Sequence, residues 1–188
     1  LAKDCEVLVA GRHVDSLADV TDHRIPCSVG DPLSVQSAAA GIRQHVDEVD
    51  VWVYAIGDIV SEHVDRLDPR TWQRVIDANL SGAFYATHYS APLLARKAHL
   101  FYIGAVSERM RLPGLAAYAA AKSGLEALAE VVRKELRRKV TVLRPTAVDT
   151  PLWDKVPFSL PAHHLSAQAV AVRLWQSYQD GERGLIDL

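Results

Sequence analysis

The sequence predicts an α/β fold: a doubly wound parallel sheet with helices on both faces, in one domain over residues 1–188. Three observations point there. Short apolar runs rich in β-branched and aromatic residues alternate with longer stretches of helical pattern, and continuously apolar strands between helices belong to a parallel sheet covered on both faces. Hydrophobic residues make up 49% of the chain, enough for a sizeable core. Helix-start chemistry, Asp68-Pro69 and Ser166, stands where helical patterns begin.

In order along the chain, residues 6–11 (Glu-Val-Leu-Val-Ala-Gly) read as a buried strand and residues 25–29 as a short one. A helix is expected over 33–46. Residues 50–55 (Asp-Val-Trp-Val-Tyr-Ala) form the third strand by their β-branched and aromatic content. Helices follow near 69–79, leading into 80–96, with Asp68 as N-cap and Pro69 in the first turn. Strands at 99–104 and 139–144 flank an Ala-rich helix over 117–138. Residues 150–165 are irregular, with Pro151, Pro157 and Pro161. Ser166 caps a last helix to 180, and 184–188 adds an edge strand.

Composition narrows the function. The net charge is −2, with basic and acidic residues mixed, so nucleic-acid binding is not indicated. The basic run Arg133-Lys134-Glu135-Leu136-Arg137-Arg138-Lys139 closes a helix, where cations complement the dipole, and reads as a solvated end. Cys5 and Cys27 show no metal-ligand spacing, no metal site is expected, and a reduced, cytoplasmic setting is the default. No run approaches the ~20 apolar residues of a membrane span, and no secretory signal is visible. His163-His164 reads as surface.

The chemistry concentrates at Tyr118-Ala119-Ala120-Ala121-Lys122. Positions i and i+4 share a helix face, so the ammonium stands by the phenol and is expected to lower its pKa from about 10. A phenol that moves a proton near neutral pH suits carbonyl reduction or alcohol oxidation. Alone the pattern is common on surface helices; its context gives it weight.

That context resembles the short-chain dehydrogenase/reductase family over nearly the whole chain. Residues 112–125 resemble the family's active-site helix and the loop leading into it. Asp77-Ala78-Asn79-Leu80-Ser81-Gly82-Ala83-Phe84 is similar to its Asn-containing helix motif. Arg144-Pro145-Thr146-Ala147-Val148-Asp149-Thr150-Pro151 resembles the segment after the sixth strand, and Tyr54-Ala55-Ile56-Gly57 sits where the family has Asn-Asn-Ala-Gly.

The resemblance implies a Rossmann-type fold and a set of roles. Tyr118 is the general acid or base. Lys122 assists it and bonds the nicotinamide ribose, and Asn79 holds a water beside Lys122. The family's Ser position falls on Ala105, which cannot polarise a substrate oxygen; Ser107, two residues on, is the candidate replacement and Glu108 a further polar group. Both have blander readings, a loop-capping hydroxyl and an Arg-paired or solvent-facing charge. Arg12, after the first strand, suits the 2′-phosphate of NADP over NAD, or alternatively stacks on adenine. Ser28 replaces an Asp near the adenine. Tyr54, Ala55 and Gly57 line the adenosine ribose through backbone; Pro145, Val148 and Thr150 meet the nicotinamide end, with Thr146 replacing a Gly. Residues 150–165 form a substrate lid whose Leu152, Trp153, Val156, Phe158 and Leu160 suit an apolar carbonyl compound or simply pack on the core.

The family's first strand and its Gly-rich phosphate-binding turn have no counterpart here: no Gly-x-x-x-Gly-x-Gly occurs, and Leu1-Ala2-Lys3-Asp4 resembles the end of the helix after that turn. That strand would run between the strands near Glu6 and Asp50. Because each buried unpaired backbone group costs about 1–3 kcal/mol, about 20 preceding residues are expected; the alternative is that the flanking strands pair directly. The expected function is an NADP-dependent oxidoreductase acting on a small carbonyl or hydroxyl compound. The alternative is a non-catalytic dinucleotide sensor, which Ala105 favours. Helices 80–96 and 117–138 resemble the pair at the family's isologous interface, so a homodimer or homotetramer is expected.

Overall fold

The computed structural model describes residues 5–188. Leu1–Asp4, read above as a helix end, lies outside the described residues. Parallel strands alternate with helices, as the apolar pattern requires. β1 (Leu8–Gly11) pairs in parallel with β2 (His23–Pro26). α1 (Pro32–Ile42) follows, then β3 (Val49–Tyr54), α2 (Pro69–Ile76) and α3 (Gly82–Ser90). β4 (Leu94–Ile103), α4 (Ala116–Leu136) and β5 (Lys139–Arg144) form the central βαβ unit. β6 (Val148–Asp149) and β7 (Leu165–Ser166) bracket the irregular segment 150–164 and pair with each other; α5 (Ala167–Asp180) and β8 (Gly184–Asp187) follow.

The larger sheet has the order β3-β4-β5-β8, all parallel. β1 and β2 form a second sheet. Among the described residues β1 and β3 belong to different sheets and do not pair directly. This is an α/β Rossmann-type fold.

The core follows from the sequence. Leu100, Tyr102, Val140 and Val142 project to one face of the sheet and pack beneath Leu125, Ala129 and Val132 of α4. Phe101 and Leu143 project to the other and meet Val170 and Leu174 of α5. This period-2 alternation sends successive strand residues to opposite helical layers. Asp68 caps α2 by accepting from Thr71 N, and Ser166 caps α5 by accepting from Ala169 N.

Several expected bounds move. The second strand lies at His23–Pro26, because Cys27 turns inward into the α1–α3 core. α1 stops at Ile42. The helix expected over 80–96 ends at Ser90, because Pro92 has no N–H to continue it, and the chain extends from Leu94 into β4. Between α2 and α3, Asp77–Ser81 forms a wide π-type turn. Such turns recur at functional sites, and this one carries Asn79. α3 approaches β3 closely only because Gly82 has no side chain: a Cβ there would meet the Tyr54 hydroxyl at 2.6 Å and the Asp77 carbonyl at 2.7 Å. α4 ends on Arg137 in the left-handed region (φ 52°). Glycine favours that conformation, and a non-glycine residue there costs about 1 kcal/mol. α5 by contrast ends on Gly181 (φ 68°).

Candidate active site

The site lies at the C-terminal ends of β3 and β4, where an open α/β sheet presents its crevice. Tyr118 and Lys122 share the first turns of α4, as their spacing requires. Lys122 is buried, and its Nζ donates to the Ile103 carbonyl at 2.9 Å, at the last residue of β4. The ammonium sits 5.6 Å from the Tyr118 ring centroid.

Asn79 is fully buried. Its Nδ2 donates to the carbonyls of Asp58 (2.6 Å) and Val75 (2.8 Å), which fixes the amide orientation and leaves Oδ1 buried with no partner. Oδ1 and Lys122 Nζ converge on the bare α-carbon of Gly57: a Cβ there would lie 3.0 Å from the one and 3.8 Å from the other. Any larger residue would fill this cradle. A buried acceptor without a donor, beside an ammonium with N–H groups to spare, suits a water or a sugar hydroxyl. The structure therefore brings together Asn79, Gly57 and Lys122, with Tyr118 on the adjoining turn.

The electrostatics differ from the sequence expectation. Burial pushes the Tyr118 phenol up to about 12, because the phenolate would be desolvated. Burial also lowers Lys122 to about 8. The ammonium is turned onto the Ile103 carbonyl, so in this arrangement the lysine does not offset the cost of burying the phenolate. Tyr118 is 7% exposed and packs with Ile59, Val75, Ala105, Leu115 and Ala117; Leu152 and Val156 of the 150–165 segment lie on the same cluster. Two concavities of about 460 Å³ each lie elsewhere, one along α4 and β8 and one at the opposite end of the sheet.

Ala105 is a buried packing residue against Tyr118. Ser107 is buried and opens the short turn Ser107–Met110. Glu108 is the arginine-paired charge: both its oxygens accept from Arg144 Nη1 at 3.2 Å. Its own backbone N–H and Arg144 hold its carboxyl below the ordinary value. Arg144, at the end of β5, also donates to Asp187 at 2.7 Å and lies 3.4 Å from Glu126, tying the Ser107 loop to α4 and β8.

Arg12 is exposed just past β1, and Ser28 is exposed just past β2. Ala55 and Gly57 are exposed at the end of β3. Tyr54 instead turns its side chain into the core, where its hydroxyl donates to the Ala78 carbonyl at 2.8 Å, so only its backbone is available to a ligand. Pro145 is buried, with Val148 and Thr150 half-buried beyond it. The Trp153 indole N–H donates back to the Val148 carbonyl at 2.8 Å, while Phe158 is exposed.

Sequence reasoning missed Asp58. Its carboxylate is buried and accepts from Arg74 of α2 and, at 2.6 Å, from Lys155 of the 150–165 segment. The same residue's carbonyl holds Asn79, so one residue joins the 150–165 segment to the π-type turn. The available signal was an acidic residue directly after Gly57.

A family model described as short chain dehydrogenase matches residues 1–158. The chain is 32% identical over 133 residues to the 3-oxoacyl-[acyl-carrier-protein] reductase MabA of Mycobacterium avium, covering 68% of this chain and 52% of that protein. It is 30% identical over 130 residues to the 3-oxoacyl-[acyl-carrier-protein] reductase FabG of Escherichia coli, covering 66% and 53%. It thus spans about half the length of these reductases. Among solved structures, an alcohol dehydrogenase of Thermococcus sibiricus complexed with 5-hydroxy-NADP superposes with a TM-score of 0.83 at 21% identity, over 95% of this chain and 83% of that one. A mutant short-chain dehydrogenase/reductase of Serratia marcescens superposes at 0.81 and 20% identity, over 93% and 81%. These structural likenesses concern the fold, and the match over residues 1–158 establishes that the chain belongs to the short-chain dehydrogenase family.

Proposed function

We propose that this chain is an NADP-dependent oxidoreductase that interconverts a carbonyl and a hydroxyl group on a small, apolar substrate. One observation carries the reading. Lys122 is buried without a carboxylate partner, beside the partnerless Oδ1 of Asn79 and the bare α-carbon of Gly57, one helical turn from Tyr118. A buried ammonium costs several kcal/mol of solvation unless compensated, and a core built only for stability would not retain it.

The residues present fit a dinucleotide at both its ends. Gly57, Asn79 and Lys122 suit a ribose hydroxyl, and the exposed Arg12 suits a 2′-phosphate over a plain ribose. Tyr54 and Ala55 contribute backbone; Pro145, Val148 and Thr150 border the nicotinamide end. The cofactor would supply or accept the hydride. In reduction, Tyr118 Oη donates its proton to the oxygen of the former carbonyl. A phenol at about 12 stays protonated through the neutral range, so the arrangement described favours the donor role. Lys122, charged below about pH 8, would offset the phenolate that remains by turning from the Ile103 carbonyl toward Tyr118. Asn79 orients a water for proton return. With alanine at position 105, the substrate oxygen takes its second donor from Ser107, on the loop that Arg144 holds. Leu152 and Val156 close over the reacting atoms and exclude water.

The lid's apolar side chains and the similarity to reductases of acyl thioesters support an apolar carbonyl substrate. The exposed Phe84 of α3 and Val131 of α4 support assembly through these helices into a homodimer or homotetramer. A second reading, a dinucleotide-binding sensor, is favoured by Ala105 and by the raised phenol pKa.

The deciding experiment is a screen of aldehydes and ketones with NADPH, followed by variants under saturating cofactor. Tyr118→Phe should abolish turnover while NADPH still binds, and Ser107→Ala should cost at least about 10²-fold in turnover. Tight NADPH binding with no turnover of any carbonyl would favour the sensor. Turnover by Tyr118→Phe equal to the parent's would refute the mechanism.

A further inference from the structure

The other end of the sheet carries a feature that the oxidoreductase reading does not use. β4 opens through Arg96 and Lys97, and α4 passes into β5 through Arg137, Arg138 and Lys139. Parallel pairing places Lys139 beside His99 and so brings the two basic groups together. The five cations and Ala98 line a concavity of about 460 Å³ with no carboxylate in its wall. Among the described residues, none of the five joins an ion pair. The chain carries 23 acidic and 21 basic residues, so this is not the by-product of a basic protein.

Two further observations bear on the patch. Arg137 lines the concavity from a left-handed backbone that glycine would adopt without strain. Residues kept against local backbone preference cluster at functional sites. Arg138 donates from Nη1 to the Leu136 carbonyl at 3.1 Å, while its buried Nε has no partner. The α4 dipole accounts for cations near its last turn, and the C-terminal end of α5 for Lys139, whose ammonium lies by Gly181; neither accounts for Arg96 and Lys97, which arrive from a different segment. Crowding like charges is unfavourable unless an anion is shared among them.

We propose that this concavity is a binding site for a polyanion of the di- or triphosphate class. Guanidinium forks match phosphate oxygens bidentately, and lysine ammoniums add point charges. Three arginines and two lysines exceed what a single phosphate satisfies, which favours a chain of phosphoryl groups. Arg137 stands about 28 Å along α4 from Tyr118, at ~1.5 Å per residue. The site is therefore separate from the reacting atoms and does not depend on the function proposed above.

The test is calorimetric titration of the full chain with inorganic tripolyphosphate at physiological ionic strength, with thermal unfolding measured alongside. The parent should bind saturably, and the ligand should raise its Tm. Affinity should fall at least tenfold in Arg137→Gly and in Arg96→Gln/Lys97→Gln, and the ligand-induced Tm rise should vanish with it. Arg137→Gly relieves the left-handed backbone, so without ligand it should melt no lower than the parent. Lost binding in that variant is then not lost folding. Three results would overturn the proposal. One is the absence of saturable binding. Another is binding unchanged by the patch variants but removed by Arg12→Ala, which would place the anion at the end of β1. The third is binding to phosphatidylserine vesicles without binding to tripolyphosphate, which would make the patch a lipid-facing surface.

Discussion

Replacing His99 with glutamine should remove a specific share of the protein's acid lability. His99 lies on β4, 1% exposed, with its ring stacked on Phe101 at 4.1 Å. Its Nε2 is 2.8 Å from Thr141 Oγ1, and that hydroxyl already donates to the Glu182 carbonyl at 2.8 Å. Thr141 can therefore only accept from the ring, which makes His99 the neutral tautomer protonated on Nε2. Its Nδ1 is left as a buried acceptor with no partner. Protonating that atom would place a cation in the core close to Lys139. Burial first, and Lys139 second, push the imidazole down from 6.5 to about 4. The unfolded chain then binds the extra proton between pH 6.5 and about 4, so stability rises with pH across that window and is lost on acidification. At ~1.4 kcal/mol per pH unit, the loss attributable to His99 amounts to about 3 kcal/mol. Glutamine keeps a donor for Thr141 but does not titrate. Urea unfolding of parent and His99→Gln at pH 7, 5.5 and 4 isolates the effect, because the other carboxylates and histidines are common to both chains. The parent's stability relative to the variant should fall by about 3 kcal/mol from pH 7 to pH 4. A difference that stays constant with pH would show that the buried ring does not titrate as its surroundings dictate.

The remaining predictions concern the site and the assembly. Lys122→Met should abolish turnover yet raise stability at pH 7, because a buried ammonium is removed; the gain should shrink between about pH 8 and 10.5, where the parent's lysine loses its charge only in the folded state, as urea titrations at both limits would show. Asp58→Asn should free Lys155 and speed proteolysis within Pro151–Lys155, at a cost of about 1–3 kcal/mol, since the two half-exposed cations left behind rehydrate. Light scattering at micromolar concentration should give a dimer or tetramer, and Phe84→Glu together with Val131→Glu should give the monomer; a monomeric parent would contradict the proposed interface.

How much was legible in the sequence depends on the range of each interaction. Strand 139–144, the caps Asp68 and Ser166, and the shared face of Tyr118 and Lys122 follow from local periodicity and cap chemistry, which act within a helical turn or a strand. Pro92 could have ended α3 at Ser90 on the same grounds. It was overridden by the apolar pattern that runs through residues 80–96, which continues into β4 without a change of composition.

The amino-acid sequence by itself determined the order of strands and helices, the covering of the sheet on both faces, and the acid–base candidates. Only the tertiary structure decided their environments. It buried Tyr118 and Lys122, moving both pKa values in the directions that favour their neutral forms, and left Asn79 Oδ1 facing Gly57. It joined Asp58 to Lys155, and Arg144 to Glu108, Glu126 and Asp187. It gathered Arg96 and Lys97 against Arg137, Arg138 and Lys139. Each of these pairs residues distant in sequence, and no short-range rule specifies them. They exist because burying the apolar faces of β4, α4 and β5 fixes which strand ends meet, and desolvation then sets the charge that each buried group prefers.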